Sequence, residues 1–407
     1  MKYSFLDSLH LDFLEQMRER LISFYEPHVA LDGGGFAWLG EDGEPLAEKG
    51  SQLWIGARMT HVFALAHLLG QPGAKALAQH GVDFYAGGPG QDKEFGGWFA
   101  QVGGDTPSDR KELYGQAHVL LAGSTAVLAG LDGGPSLVDH ALELLENRYW
   151  VEADGACIED FDRAFTCADA YRGQNANMHL TEALIACWEA TRDALALERA
   201  VRIARRIAGP AASIDEGSWR LVEHFDASWG KLPGYNRDYP AHPFRPYGSQ
   251  PGHWLEWAKL LMQLKGLGVD EPWLLPAAER LFRGAIADGW AAPGGFVYTV
   301  GWDGKPVVDT RFWWELAEGV GAARLLWLET GNVYYAKWYE QIWAFIDAHL
   351  VDQGGNWYPE LDAQANPSTN TWIGRPDLYH AYQATLYACL PKDKGLAAWA
   401  ATCPRLP

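Results

Sequence analysis

A glycine followed by an apolar or aromatic run recurs along the chain, at Gly35-Phe36, Gly97-Trp98, Gly155-Ala156, Gly217-Ser218-Trp219, Gly295-Phe296 and Gly355-Asn356-Trp357. The spacing is roughly sixty residues, and a period of that length signals a repeat architecture before any local detail is read. Each glycine opens a short run such as GGWFAQV, GGFVYTV or GGNWYPEL, which reads as one arm of a small hairpin. Helical stretches follow over 51–70 with 73–87, 112–130 with 136–149, 175–191 with 195–208, 250–265 with 272–288, and 311–330 with 332–350; single ones stand at 5–28 and 376–390. One helix, five pairs and one more make twelve. The terminal helices can therefore close a ring of six helical hairpins. An open solenoid would need polar end caps, and the first helix, with Leu9, Phe13, Leu14, Met17, Leu21 and Phe24, is too apolar on one side for that. The sequence predicts an all-α fold, an (α/α)6 barrel with short β-hairpins in the loops at one end, as a single domain over 1–407. The stretch Lys231–Gln250 reads as a long ordered loop because of its aromatic content.

Bulk composition removes several functions. A net charge of −19 would repel nucleic-acid phosphates. No apolar window is long enough to span a bilayer, and the first residues carry no basic segment leading into an apolar run, so neither secretion nor membrane insertion is expected. The five cysteines (157, 167, 187, 389 and 403) contain no CxxC and suit reduced thiols in a cytoplasm, not a disulfide frame or zinc site. No HExxH, EF-hand loop, P-loop or dinucleotide glycine fingerprint is present. No metal and no cofactor is expected.

Function is read from where polar residues interrupt the apolar helices. In each repeat the first helix after the hairpin carries one: Arg58, Tyr114, Asn175 with His179, His253 with Glu256, Glu318, and His380. Most stand roughly twenty-odd residues beyond their repeat's glycine; Tyr114 stands nearer, and His253 further because the Lys231–Gln250 loop intervenes. Equivalent positions of a closed ring face one axis, so these side chains are expected to converge at one mouth. Buried polar groups are costly unless paired, and a set at matching places is not easily reached by accident. Each also has a purely structural explanation: Arg58 as an ion-pair partner, Tyr114 as core with a wet hydroxyl, Asn175 as a helix N-cap, His179 as a satisfied core histidine. Trp54, Trp313, Trp314 and Trp372 could stack on sugar faces. His61, His67, His118 and His224 have no counterpart in other repeats and are read as structural.

The segment GSQPGHWLEWAKLLMQL, residues 248–264, concentrates the signal. Pro251 suits a first helical position, where its missing N–H costs little. Trp254, Trp257, Leu261 and Leu264 form a helical stripe. His253 and Glu256 project together near the helix start, where the positive end of the helix dipole favours neutral imidazole. His380 follows Pro376 much as His253 follows Pro251.

The motifs ARMTHVFALA, GGWF, YGQAH, NANMHLTEA, EHFD, PGHWLEWAKLL and DLYH, in this order from about Gly34 to Leu390, resemble the N-acylglucosamine 2-epimerase superfamily. The likeness is greatest to its aldose–ketose isomerase branch of mannose and sulfoquinovose isomerases. That resemblance implies the (α/α)6 barrel, acid/base roles for His253 and His380, and sugar contacts from Arg58, Tyr114, Asn175, His179, Glu256 and Glu318; among the tryptophans, Trp314 and Trp372 are the expected stacking surfaces by their chemistry. Sulfoquinovose-type members tend to carry polar side chains where this chain has Pro243 and Pro376, which favours a neutral sugar; Arg245 and Arg375 keep the sulfo-sugar reading open.

The implied reaction is interconversion of D-mannose, or D-lyxose, with its 2-ketose (D-fructose from mannose) by metal-independent proton transfer through a cis-enediolate. His380 would move the C2 proton to C1, His253 would assist ring opening and proton movement between O1 and O2, and Arg58 would stabilise the enediolate. Competing readings are a sugar 2-epimerase of N-acylglucosamine or cellobiose type, a sulfoquinovose isomerase, a glycoside hydrolase using Glu256 and Glu318, and a binding protein without turnover. The expected partner is a monosaccharide, with neither nucleic acid nor membrane, in a cytoplasmic monomer or homo-oligomer.

Overall fold

The computed structural model describes residues 3–215 and 217–403. Its helices are, in order, α1 (Ser8–Tyr25), α2 (Leu53–Leu68), α3 (Ala74–Tyr85), α4 (Leu113–Leu128), α5 (Gly134–Leu144), α6 (Gln174–Thr191) and α7 (Ala194–Ala208). Then come α8 (Pro251–Gly266), α9 (Leu274–Gly284), α10 (Trp313–Thr330), α11 (Val333–Phe345), α12 (Tyr379–Ala384) and α13 (Leu396–Thr402). Among the described residues none is long and apolar enough to cross a membrane.

Two kinds of helix alternate. In α2 every residue from Leu53 to Ala66 is buried, and in α8 every residue from Pro251 to Leu264. The expected stripe of Trp254, Trp257, Leu261 and Leu264 is thus part of a helix covered all round, as befits an inner position. By contrast α9 buries Leu274, Ala277, Ala278, Leu281 and Phe282, the three- and four-residue spacing of a helix with one wet face. Three outer helices, α5, α9 and α11, run into a π turn, at Leu145–Tyr149, Ala285–Gly289 and Ile346–Leu350. In these three repeats the wider turn ends the outer helix and delivers the chain toward the hairpin.

The six repeat glycines all have positive φ, between 61 and 90°, a conformation that only glycine adopts without strain. That is why glycine recurs there. The hairpins they make are bridged at Ala30–Phe36, Gln91–Trp98, Val151–Ala156, Ser213–Leu221, Trp290–Phe296 and Val351–Trp357. The aromatic arm then does more than the sequence suggested: it also pairs with the residues just before the inner helix of the preceding repeat. Such pairs are Ser51–Val102, Lys111–Phe161, Ser249–Val300 and Arg311–Leu361. Arg375 pairs in the same way with Leu39.

The described residues fall into two compact units. The first draws on Met1–Ile22, Ala204–Ile373 and His380–Lys394, the second on Ser23–Ile203, Gly374–Tyr379 and Gly395–Pro407. In the first, α8 packs on α9 and α10, and α10 on α11. In the second, α2 packs on α3 and α4, and α4 on α5 and α6.

The ends of the chain differ from expectation. Helix α1 begins only at Ser8, where Asp7 accepts the Leu9 N–H (3.0 Å). Leu9, expected on its apolar side, is exposed, whereas Leu14, Met17 and Leu21 are buried. The stretch 376–390 is helical only over Tyr379–Ala384. Before it, the Asp377 carboxylate takes the Tyr379 N–H (2.9 Å). After it, Arg18 donates to the Thr385 carbonyl and Arg324 to the Tyr387 carbonyl (3.1 and 3.3 Å), so the chain continues in tighter turns. Pro376 therefore stands ahead of its helix, unlike Pro251, which opens one. Helix α13 was not expected from the sequence.

Candidate active site

Numbering from each inner helix start brings out a regularity. Arg58, His118, His179, Glu256 and Glu318 are each the sixth residue of α2, α4, α6, α8 and α10. Trp54, Tyr114, Asn175, Gly252 and Trp314 are each the second, and His380 is the second of α12. Positions four apart share a helix face, so one face of each inner helix carries both residues. His253, third in α8, stands beside this pattern. Asn175 is not an N-cap, since Gly173 holds that place.

In the first unit the two predicted acid/base histidines adjoin one indole. The Trp314 ring lies 5.3 Å from the His253 ring and 6.3 Å from that of His380, centroid to centroid. Trp314 is half-buried, unlike its helix neighbours Trp313, Glu315 and Leu316. Room for it comes from Gly252, where a Cβ would stand 2.4 Å from Trp314 Cζ3.

Each imidazole is held at Nδ1 by a carboxylate. His253 Nδ1–H donates to Glu223 Oε2 (2.8 Å), and Glu223 also accepts from the Gln250 backbone and amide N–H groups, both at 3.0 Å. His380 Nδ1–H donates to Glu318 Oε1 (3.1 Å), whose Oε2 lies 2.5 Å from Lys259 Nζ. A carboxylate on Nδ1 fixes the tautomer and leaves the Nε2 lone pair for chemistry. Burial pushes the Glu318 carboxyl up, yet Lys259 and His380 together outweigh burial and hold it below its ordinary value. Glu256 is buried one turn beyond His253. Trp372 stands a layer away, edge-on to Phe312, Trp313 and Phe244.

In the second unit Arg58 is the centre. Its Nε donates to His118 Nε2 (3.0 Å), Nη2 to the Tyr114 hydroxyl (2.6 Å) and Nη1 to Asp377 Oδ2 (3.4 Å). The guanidinium also lies over the rings of Tyr379, Trp54 and Tyr114, at 4.8, 5.1 and 5.4 Å. His118 Nδ1–H donates to the Tyr114 carbonyl (2.7 Å). Burial first, then the charges of Arg58 and His179, push its pKa well below the ordinary histidine value. It is a neutral acceptor. The His179 ring adjoins those of His118 and Tyr114 at 4.7 and 5.1 Å, with Glu182 3.7 Å from its Nδ1. Glu182 in turn accepts from the Tyr379 hydroxyl. Asn175 Oδ1 has no hydrogen-bond partner among the described residues.

The structure thus brings together His253, His380, Glu318 and Trp314 in one unit, and Arg58, Tyr114 and His179 in the other. Sequence reasoning missed His118, Glu223, Lys259 and Asp377. His118 is the instructive case: it holds the sixth position of its helix, and Tyr114, one turn earlier, stood in its place. The short interval from Gly97 to Tyr114 was the available signal. His61 bonds Thr125, and His224 the Pro246 carbonyl.

Imidazole–carboxylate pairs beside a half-buried indole are able to exchange protons with a ring stacked on that indole, the chemistry that a sugar-converting enzyme needs. The chain belongs to the N-acylglucosamine 2-epimerase (GlcNAc 2-epimerase) family, whose model matches residues 34–384. A D-mannose isomerase of Thermobifida fusca is 45% identical over 402 residues, 97% of each chain. A crystal structure of D-mannose isomerase superposes with a TM-score of 0.87 at 32% identity, covering 93% of this chain and 97% of that one. The cellobiose 2-epimerase of Bacillus thermoamylovorans gives 0.79 at 19% identity, covering 92% and 98%, a likeness of fold alone. The fold is that of the epimerase-type helical barrels, as the six repeats predicted, and the chain is an enzyme of the isomerase/epimerase class.

Proposed function

We propose that this enzyme interconverts D-mannose and D-fructose by proton transfer between C2 and C1. What supports the reading is the pair of carboxylate-anchored imidazoles that both adjoin Trp314, together with the activity named for the relatives at 45 and 32% identity. An aldose must open to its aldehyde before C2–H becomes acidic. His253 assists by taking the O1 hydroxyl proton while the ring C1–O5 bond breaks, and that proton passes to O5, which leaves the imidazole neutral again. His380 Nε2 then removes the C2 proton, the electron pair forms the C1=C2 enediolate, and negative charge falls on O1. Returning that proton to C1, while His253 carries the O2 proton to O1, gives the 2-ketose. The atoms balance with no external oxidant.

Neutral imidazoles suit such shuttling because their ordinary pKa lies near the working pH. Arg58 is assigned to the negative charge that develops on the enediolate oxygens. Tyr114, Asn175, His179 and Glu256 are assigned to sugar hydroxyls, Glu318 to orienting His380, and Trp314 with Trp372 to the apolar faces of the sugar. The substrate is a neutral monosaccharide, and the enzyme is placed in the cytoplasm, where its five free cysteines remain reduced.

Incubation of EDTA-treated enzyme with D-mannose in D2O tests this. Fructose, with partial deuterium at C1, is expected. Glucose as the product would overturn the assignment in favour of epimerisation, and activity lost on chelation would require a metal. His253→Ala and His380→Ala should each lower turnover by about 10²–10⁴ with the helical signal intact.

A further inference from the structure

The carboxylate behind His380 is not alone. Among the described residues Glu318 has two polar side-chain partners, His380 on one oxygen and Lys259 on the other. Lys259 lies three residues beyond Glu256 on α8, a helix packed against α10. Its side chain is 0% exposed. The stem runs beside Gly321, and the ammonium lies 5.9 Å from the Tyr387 ring.

Stability is a poor reason for such a pair. Replacing a buried ion pair by apolar residues of like volume is often neutral or stabilising. Its chemical consequence is larger. An imidazole hydrogen-bonded to a lone buried carboxylate is drawn toward imidazolium, because an opposite charge within about 4–6 Å favours the protonated form by one to three pH units. A histidine already carrying its proton cannot accept one from C2.

The geometry points to Lys259 as a positioning residue that cancels the charge of Glu318, so that the carboxylate orients His380 without protonating it. Glu318 then supplies direction and Lys259 supplies neutrality. When His380 takes the C2 proton, the charge it gains is matched by the enediolate instead of by the protein. Charged and titratable groups on the elements that carry or adjoin the pair include His253 and Glu256 on α8, Arg324 on α10, and Tyr382 and Tyr387 beyond His380. His253 is engaged with Glu223 and Arg324 with the Tyr387 carbonyl; burial holds the Tyr382 hydroxyl protonated.

The inference rests on His380 being the base for mannose isomerisation. Its test is the pH dependence of kcat/KM for D-mannose in wild type, Lys259→Met, Lys259→Arg and the double variant Lys259→Met/Glu318→Gln. In Lys259→Met the acid limb should move to higher pH by about one unit or more. Lys259→Arg should restore the wild-type limb, and the double variant, with neither charge, should stay within about half a unit of it. A lower kcat with an unmoved acid limb in Lys259→Met would overturn the proposal, because lost packing alone does not shift a titration. Should Lys259→Met fail to fold, the double variant decides: a limb displaced by about a unit or more rejects the idea. His380→Ala separates the two levels. Retained turnover there rejects His380 as base, whereas lost turnover with an unmoved Lys259→Met limb rejects only the role of Lys259.

Discussion

Glu315 offers a test of how strongly the interior around the histidine helices resists charge. It is the third residue of α10, fully buried. Its Oε2 accepts the Phe312 N–H (3.3 Å), while Oε1 has no hydrogen-bond partner among the described residues. Burial pushes its pKa well above the ordinary 4.5; the Phe312 N–H and the Arg311 charge oppose this and lose. The folded protein therefore keeps Glu315 protonated at pH values where the unfolded chain has released the proton. In that window the native state binds more protons, so stability falls as pH rises, by about 1.4 kcal/mol per pH unit. Glu315→Gln preserves shape and the Phe312 contact but cannot ionise in either state. At pH 4, below the unfolded pKa, variant and wild type should be close in stability. From pH 5 upward the variant should gain on wild type by about 1.4 kcal/mol per unit until the folded pKa is reached. Urea denaturation midpoints at pH 4, 6, 7 and 8 measure this directly. A gap that stays constant over that range would mean that Glu315 ionises normally in the fold. A gap that moves against the variant would mean that the anion is favoured there, through Arg311, and the reasoning would fail.

Two further outcomes follow from the same contacts. Arg58→Lys keeps the charge but cannot donate at once to His118, Tyr114 and Asp377, a fork that only guanidinium supplies; kcat for mannose isomerisation should fall by about 10²–10³, and a kcat near wild type would remove Arg58 from the enediolate step. Gly252→Ala puts a Cβ 2.4 and 2.6 Å from the Trp314 ring and 2.7 Å from Glu315 Cγ; overpacking of this kind costs about 1–3 kcal/mol. Because Trp314 lies beside both histidines, kcat should drop along with the thermal midpoint, and a variant matching wild type in both would show that the indole position is not critical.

Much of the fold was legible because it repeats. The six glycines mark hairpins that need positive φ, and apolar periodicity located the helices between them. What escaped notice was non-local. The pairing of each aromatic arm with the preceding repeat has no local signature, and the shortening of 376–390 depends on Arg18 and Arg324 reaching in from distant helices. The site divides along the same line. His253 and His380 were visible as polar residues in apolar helices, whereas their environments were not. Glu223 lies in a loop with no periodicity to place it, and Lys259, though it interrupts an apolar helix in plain view, gains meaning only once Glu318 stands opposite. His118 was set aside for want of counterparts that it does have, once residues are numbered from the helix start instead of from the glycine.

That numbering separates two demands on one helix face. The sixth position of each inner helix lies deep: Arg58, His118, His179, Glu256 and Glu318 are all buried. A charge so placed must be compensated, and so Arg58 has Asp377, Glu318 has Lys259, and His118 is kept neutral. The second position is more open in α4, α6 and α10, where Tyr114, Asn175 and Trp314 are half-buried, whereas Trp54, Gly252 and His380 are buried at theirs. Deep residues bound to fixed partners cannot be exchanged singly without stranding a charge, whereas shallow ones can vary at smaller cost. Within a family whose members are named for different sugars, the physical expectation is that proton chemistry stays with the buried, partnered residues, His253 and His380 among them, and that discrimination among sugars falls to the half-buried ones.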